Sequence, residues 1–206
     1  MLKADFFAKW SELHGGAKIS GIVKGWLEIS FQIVKVLNKL RITPNLLTCG
    51  GLIAAILLWC YPNGWQAPVF LALSLIFDGI DGSLAIISKS TSLAGAMTDS
   101  VVDRLAEVFW VLALYRLGAP VLPLFLVFTF ALTQEYLRAR AGGLGFLEIG
   151  VVSIAERPVR ASLVFIALIA DNLTLNLMHQ ILYLWLAMQV VALIQITISA
   201  YRRMVS

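Results

Sequence analysis

Four aspartates stand out in a chain that has few charges. Asp78 and Asp81 occur in Phe77-Asp78-Gly79-Ile80-Asp81-Gly82, and Asp99 and Asp103 in Thr98-Asp99-Ser100-Val101-Val102-Asp103. Spacings of three and four put each pair on one helical face. A short connection joins the two stretches, so their helices can lie antiparallel and bring four carboxylates to one point. Carboxylates that close repel one another, and divalent cations resolve the repulsion. With no His or Cys beside them, these hard oxygen ligands suit Mg²⁺ or Mn²⁺. Two dications, a two-metal site, would balance the four charges. Gly82, Ala85 and Gly95 stand beside the acids, and small residues there let helices approach or leave room for a flat ligand.

The rest of the composition makes these acids expensive. Hydrophobic residues form 60% of the 206-residue chain, charged residues 14%, and mean hydropathy is +0.87. A soluble domain is about 45–50% apolar and about 25% charged. A soluble globule and a disordered chain are both excluded, which leaves an all-α integral membrane protein. At ~20 residues per span the apolar content suffices for roughly six. An ionised Asp costs roughly 2.5–3.5 kcal/mol at the centre of a span, so four cost on the order of 10 kcal/mol. The net charge of +4 is read as cytoplasmic loops facing anionic lipid, not as a nucleic-acid footprint. Cys49 and Cys60 have no metal or redox spacing and are expected to be buried thiols. Lys9, Lys18 and Lys24 interrupt the first apolar run, so no secretory leader is read there.

The elements that must position the acids follow from periodicity. Residues 19–41 alternate at helical spacing, with Lys24, Glu28, Lys35 and Lys39 on the polar face. This predicts an amphipathic helix lying in the membrane interface within a region 1–43. Residues 44–206 are predicted to form a six-helix transmembrane catalytic domain. Its spans run from about Leu46 to Tyr61, Ala67 to Ile87, Leu93 to Leu117, Val121 to Tyr136, Val159 to Ala170 and Leu175 to Ala200. A glycine-rich stretch, Gly142 to Gly150, follows the fourth. Among the loops on one side Arg116 is the lone basic residue, and the rest of the sixteen lie on the side of the termini. The positive-inside rule then predicts cytoplasmic termini, and Trp59 and Trp65 flank the first outer loop.

The full motif reads Asp78-x2-Asp81-Gly82-x2-Ala85-Ile86-x8-Gly95-x3-Asp99-x3-Asp103. It resembles the signature of the CDP-alcohol phosphotransferase (CDP-alcohol phosphatidyltransferase) family, D-x2-D-G-x2-A-R-x8-G-x3-D-x3-D. The one departure is Ile86, where the family has arginine; Lys89, three residues on, offers a replacement charge. Pro44-Asn45-x2-Thr48 extends the likeness. The resemblance implies displacement of CMP from a CDP-linked lipid by an alcohol. It makes Asp78, Asp81 and Asp99 metal ligands and Asp103 both ligand and catalytic base. It assigns Asn45, Leu46, Leu47, Thr48, Gly82, Ala85, Ile86, Ser92 and Gly95 to the CDP-lipid (CDP-diacylglycerol) site. It also implies a homodimer in the cell (inner or plasma) membrane, surrounded by membrane lipids.

The second half carries a further pattern. Tyr136-Leu137-Arg138-Ala139-Arg140-Ala141, Gly145 and Ile154-Ala155-Glu156-Arg157-Pro158-Val159-Arg160 resemble the corresponding run of actinobacterial phosphatidylinositol phosphate synthases. This implies that Arg138, Arg157 and Arg160, with Arg202, bind the phosphate of a small polyol phosphate, inositol 1-phosphate first and glycerol 3-phosphate second. Arginines suit such bidentate contacts. Glu107 continues the Asp99–Asp103 face at i+4 and is expected to hydrogen-bond in the bundle or pair with an arginine. His14 and His179 are read as incidental. Two other readings stand: a cation or proton transporter, which would spread its acids along a path, and a non-catalytic CDP-lipid binder, which Ile86 would explain.

Overall fold

The computed structural model describes residues 1–13, 15–145 and 153–205. These form eight helices, and the described residues contain no strand. The helices are α1 (Lys3–Leu13), α2 (Gly21–Lys39), α3 (Pro44–Cys60), α4 (Gln66–Ser88), α5 (Leu93–Arg116), α6 (Val121–Gly143), α7 (Arg157–Asn172) and α8 (Met178–Val205). Punctuation residues set their ends. Pro44 opens α3, a position that needs no backbone N–H. Gly118 follows α5 in the left-handed region at φ +87°, where Ala119 N–H closes onto Leu114 C=O. His14 and most of the glycine-rich stretch lie outside the described residues.

Three helices are long and apolar enough to cross a membrane: Gln66–Ser88, Val121–Gly143 and the Met178–Arg202 part of α8. A fourth span results if α2 and α3, bent by 112°, count as one broken span. The remaining predicted spans miss that mark for identifiable reasons. Helices α3 and α7 have 17 and 16 residues, short of the ~20 that cross a bilayer core. Helix α5 has 24 residues but carries Asp99, Asp103, Arg104 and Glu107. The chain is a multi-pass helical membrane protein.

It divides into two compact units, Met1–Ile56 with Ala72–Ala106, and Leu57–Leu71 with Glu107–Ser206. In the first, helix α2 covers most of residues 19–41, and it is preceded by α1, which the sequence reading did not anticipate. Phe6 is the buried residue of α1. It packs on Phe31 (ring centroids 5.3 Å apart), Leu27 and Ile86. A second apolar cluster joins Val34, Leu47, Ile80 and Leu84. Gly79 lets α2 approach α4 closely: a Cβ there would lie 2.7 Å from the Trp26 ring. Cys49 and Cys60 are exposed, which corrects the expectation of buried thiols. A bilayer accepts on the protein surface the apolar groups that a soluble protein would keep in its core.

In the second unit α8 packs along α6 and α7. Arg116, the exception to the charge asymmetry, donates from Nη1 to Trp59 C=O (2.6 Å) and Cys60 C=O (2.9 Å). It thus satisfies carbonyls that the end of α3 leaves open.

Candidate active site

The acidic pairs fall where the spacing puts them, on one turn of α4 and on successive turns of α5. Carboxylate oxygens of Asp78, Asp99 and Asp103 all lie within 4.8 Å of one another. Carboxylates at that separation repel one another when ionised, and a cation would relieve the repulsion. The residues fit a divalent one, because oxygen donors converge without His or Cys among them, the donor set of Mg²⁺ or Mn²⁺. Arg104 Nη2 stands 3.9 Å from Asp103 Oδ2.

Asp81 stands outside this converging triad. It is 4% exposed, and its carboxylate accepts Thr48 Oγ1–H at 2.6 Å and Gly82 N–H at 2.6 Å. Thr48 also donates to Pro44 C=O at 3.2 Å. Helix α3 therefore fixes the orientation of one signature aspartate. Gly82 borders open space, since a Cβ built there meets nothing within 4 Å. Helix packing does not require this glycine, so the room it leaves is available to a ligand. Ser92 Oγ accepts Gly95 N–H at 3.0 Å, capping the start of α5. Asn45 and Leu46 are exposed, Leu47 is buried against Val34 and Ile80, and Ala85 is half-buried. Ile86 is 4% exposed within the Phe6–Leu27–Phe31 cluster. Lys89, three residues on, is exposed at the end of α4 with φ +57°.

The arginines of the second unit are tied into a polar network. Both Nη groups of Arg138 donate to Glu156, Nη1 to Oε2 at 2.7 Å and Nη2 to Oε1. Ser153 adds its amide (2.6 Å) and hydroxyl (2.7 Å) to Glu156 Oε1. Burial opposes the charge on Glu156, yet the Arg138 guanidinium and the Ser153 groups hold its carboxyl below the usual range. Behind it, Gln189 donates to Gln134 (2.6 Å) and Gln134 to Ser153 (3.0 Å), all three residues being buried. Arg157 lies over the Trp110 ring, 5.5 Å from its centroid, with Nε 3.6 Å from Glu107 Oε1. Arg160 Nη2 donates to Glu107 (2.8 Å) and Glu135 (3.1 Å), and its Nη1 to Ala155 C=O (2.9 Å). Arg202 is exposed near the end of α8.

The pairing of Glu107 with arginine agrees with the sequence reading. Glu156, Ser153, Gln134, Gln189 and Trp110 were not singled out there. Buried Gln and Ser in an apolar segment are a signal in themselves, because a polar side chain in a span needs a partner.

A multi-pass helical fold with an acidic centre fit for a hard dication defines a class of membrane protein with a carboxylate metal site. Within that class the assignment is specific. The chain belongs to the CDP-alcohol phosphatidyltransferase family, whose profile matches residues 41–198. It is 31% identical over 145 residues to a phosphatidylinositol phosphate synthase of Cutibacterium acnes, covering 65% of this chain and 70% of that one. An archaetidylinositol phosphate synthase of Pyrococcus horikoshii is 36% identical over 157 residues, covering 73% and 80%. The crystal structure of Mycobacterium tuberculosis phosphatidylinositol phosphate synthase with CDP-DAG bound shares the fold, with a TM-score of 0.69 and 18% identity over 84% of this chain and 94% of that one. The same enzyme in complex with manganese and citrate gives a TM-score of 0.68, covering 84% and 88%.

Proposed function

We propose that this protein transfers the phosphatidyl group of CDP-diacylglycerol to inositol 1-phosphate, releasing CMP and forming phosphatidylinositol phosphate. The observation that carries this reading is the Asp78–Asp99–Asp103 triad within the family signature. The acceptor follows from the relatives: their names share an inositol phosphate and differ in the lipid.

Asp78, Asp99 and Asp103, with Asp81 oriented by Thr48, would hold the Mg²⁺ or Mn²⁺ ions. Such ions neutralise diphosphate charge and favour departure of a phosphate leaving group. Asp103 takes the proton of the acceptor hydroxyl. The acceptor oxygen bonds to the lipid-side phosphorus, the bond from that phosphorus to the bridging oxygen breaks, and CMP leaves with that oxygen. Arg138, Arg157 and Arg160 bind the acceptor's phosphate, with Arg202 assisting. Asn45, Leu46, Leu47, Thr48, Gly82, Ala85, Ile86, Ser92 and Gly95 line the CDP-lipid site, for which the open space at Gly82 is the supporting observation.

The same reading gives six spans, α3 to α8, with residues 1–43 as an interfacial region and 44–206 as the catalytic domain. Both termini face the cytoplasm of a cell-membrane homodimer. The short helices α3 and α7 and the charged α5 cross as members of a bundle, where neighbouring helices and ions cover what lipid would not accept.

The test is CMP release by detergent-purified protein with CDP-diacylglycerol or a CDP-linked archaeal ether lipid. Parallel reactions contain inositol 1-phosphate, glycerol 3-phosphate, free inositol or no acceptor, each with Mg²⁺, Mn²⁺ or chelator. Metal-dependent release with inositol 1-phosphate alone is expected. Release with glycerol 3-phosphate alone changes the acceptor, and CDP-lipid binding without release in any tube makes the chain a non-catalytic relative.

A further inference from the structure

We infer that α2 is a docking surface for anionic lipid, and that its occupancy sets turnover by seating the aspartate-bearing turn of α4. This goes beyond the proposed reaction and beyond an interfacial position, because it names the headgroup charge and the path to the site. At 3.6 residues per turn, the residues of α2 sort onto three faces. Leu27, Ser30, Phe31 and Val34 are buried. Ile29, Val36 and Leu40, at i, i+7 and i+11, are 57%, 57% and 66% exposed. Lys24, Glu28, Lys35 and Lys39, at i, i+4, i+11 and i+15, form the third face, and its three lysines are exposed.

Charge selects the partner. Residues 1–43 contain seven lysines and arginines and three acids, and so hold the chain's whole net charge of +4. Glu28, the one acid on the lysine face, is paired with Lys3 of α1 at 2.7 Å. An exposed apolar stripe beside a cationic one fits a bilayer surface with anionic headgroups. Helix α2 also turns from α3 by 112°, so where α3 crosses the membrane α2 runs close to its surface.

The buried face leads to the aspartates. The Trp26 ring lies 2.7 Å from where a Cβ on Gly79 would stand, Ser30 and Ser83 share a hydrogen bond at 3.3 Å, and Val34 packs with Ile80 and Leu84. These residues of α4 alternate with Asp78, Asp81 and Gly82. A shift of α2 is therefore passed to the backbone that carries two signature aspartates.

The test places the full chain in nanodiscs of phosphatidylcholine with increasing phosphatidylglycerol. Hydrogen exchange over residues 21–39 and metal-dependent CMP release are read on the same samples. Protection and release should rise together with the anionic fraction, and both gains should vanish at high salt, which screens surface charge. Each lysine removed should weaken lipid affinity about fivefold, so K24Q/K35Q/K39Q should stay at the phosphatidylcholine level in both readouts. W26A should keep the lipid-dependent protection and lose the rise in release. Equal protection and release in both lipids, gains that survive high salt, or a triple variant that responds like the parent overturns the inference. Protection that follows protein concentration and not lipid charge assigns the face to a second copy and also overturns it. The exchange readout does not need the reaction: lipid-dependent protection without CMP release from any acceptor supports the docking surface and refutes the proposed reaction.

Discussion

Replacing Ile86 with arginine would restore the residue that the family signature has there, and on sequence alone it should raise activity. The structure predicts the opposite. Ile86 is 4% exposed and packs against Phe6 of α1 and Leu27 and Phe31 of α2. Fully burying an isoleucine is worth about 1.5–3 kcal/mol. I86R forfeits most of that and asks a permanently charged guanidinium either to stay in an apolar cluster or to push α1 aside. Because Phe6 is the buried residue of α1, displacement of that helix is the cheaper outcome. The local cost is then about 1.5–3 kcal/mol, enough to shift the docking equilibrium of an 11-residue helix.

Two measurements check this on one preparation. Hydrogen exchange over residues 3–13 should show α1 losing protection in I86R while α4 and α5 keep theirs. Metal-dependent CMP release should fall or stay level. F6A should reproduce the loss of α1 protection without introducing a charge, and I86V should change little. The reasoning is refuted if I86R raises CMP release while α1 stays protected. The cluster would then have room for the guanidinium, and isoleucine would be a simple lesion.

Two other outcomes follow from the site. D103N should lower CMP release by about 10²–10⁴-fold, the usual contribution of a general base, with CDP-lipid binding retained; unchanged turnover would move the base elsewhere. The lock between Arg138 and Glu156 should respond to acid. The pKa of Glu156 is lowered from 4.5 in the folded protein, so its stabilising contribution is full above 4.5 and is lost as pH falls through the lowered value. The difference in Tm between the parent protein and E156Q should therefore be constant from pH 7 to about 5 and close in stronger acid. A gap that persists or widens in acid contradicts the assignment.

Much of this architecture was legible because periodicity and spacing act locally. The i,i+3 and i,i+4 spacings placed the aspartates on common faces, and three of them meet. The predicted positions of α2 to α8 lie close to those observed, since apolar runs and Pro or Gly breaks set them. Long-range pairings were not legible. Thr48 meets Asp81 across 33 positions, Glu107 meets Arg160 across 53, and no periodicity announces either. Helix α1 was missed for a related reason: its one buried residue finds partners only after α2 and α4 are in place. The exposed cysteines show the converse limit, since an apolar surrounding sequence does not distinguish core from lipid-facing surface.

The two charged clusters differ in how their charge is balanced, and that difference predicts a measurable trade-off. Glu107, Glu135 and Glu156 stand with Arg138, Arg157 and Arg160, three acids with three bases. Among the described contacts, Arg104 lies beside Asp103, while three of the four aspartates converge on one another. Two ionised carboxylates within 4.8 Å of each other repel by about 3.5 kcal/mol or more at an effective dielectric of 20. Without metal, D99N should therefore melt at a higher temperature than the parent protein, because it removes part of that repulsion. With saturating Mg²⁺ or Mn²⁺ the order should reverse, since the parent protein gains ligand-linked stability that D99N has lost. A D99N variant less stable than the parent in chelator would mean that Asp99 serves the fold by internal bonds. The acidic centre would then not be a strained site held ready for a cation. The reversal is the stronger result, because a mutation that weakens packing lowers both melting temperatures and cannot make them cross.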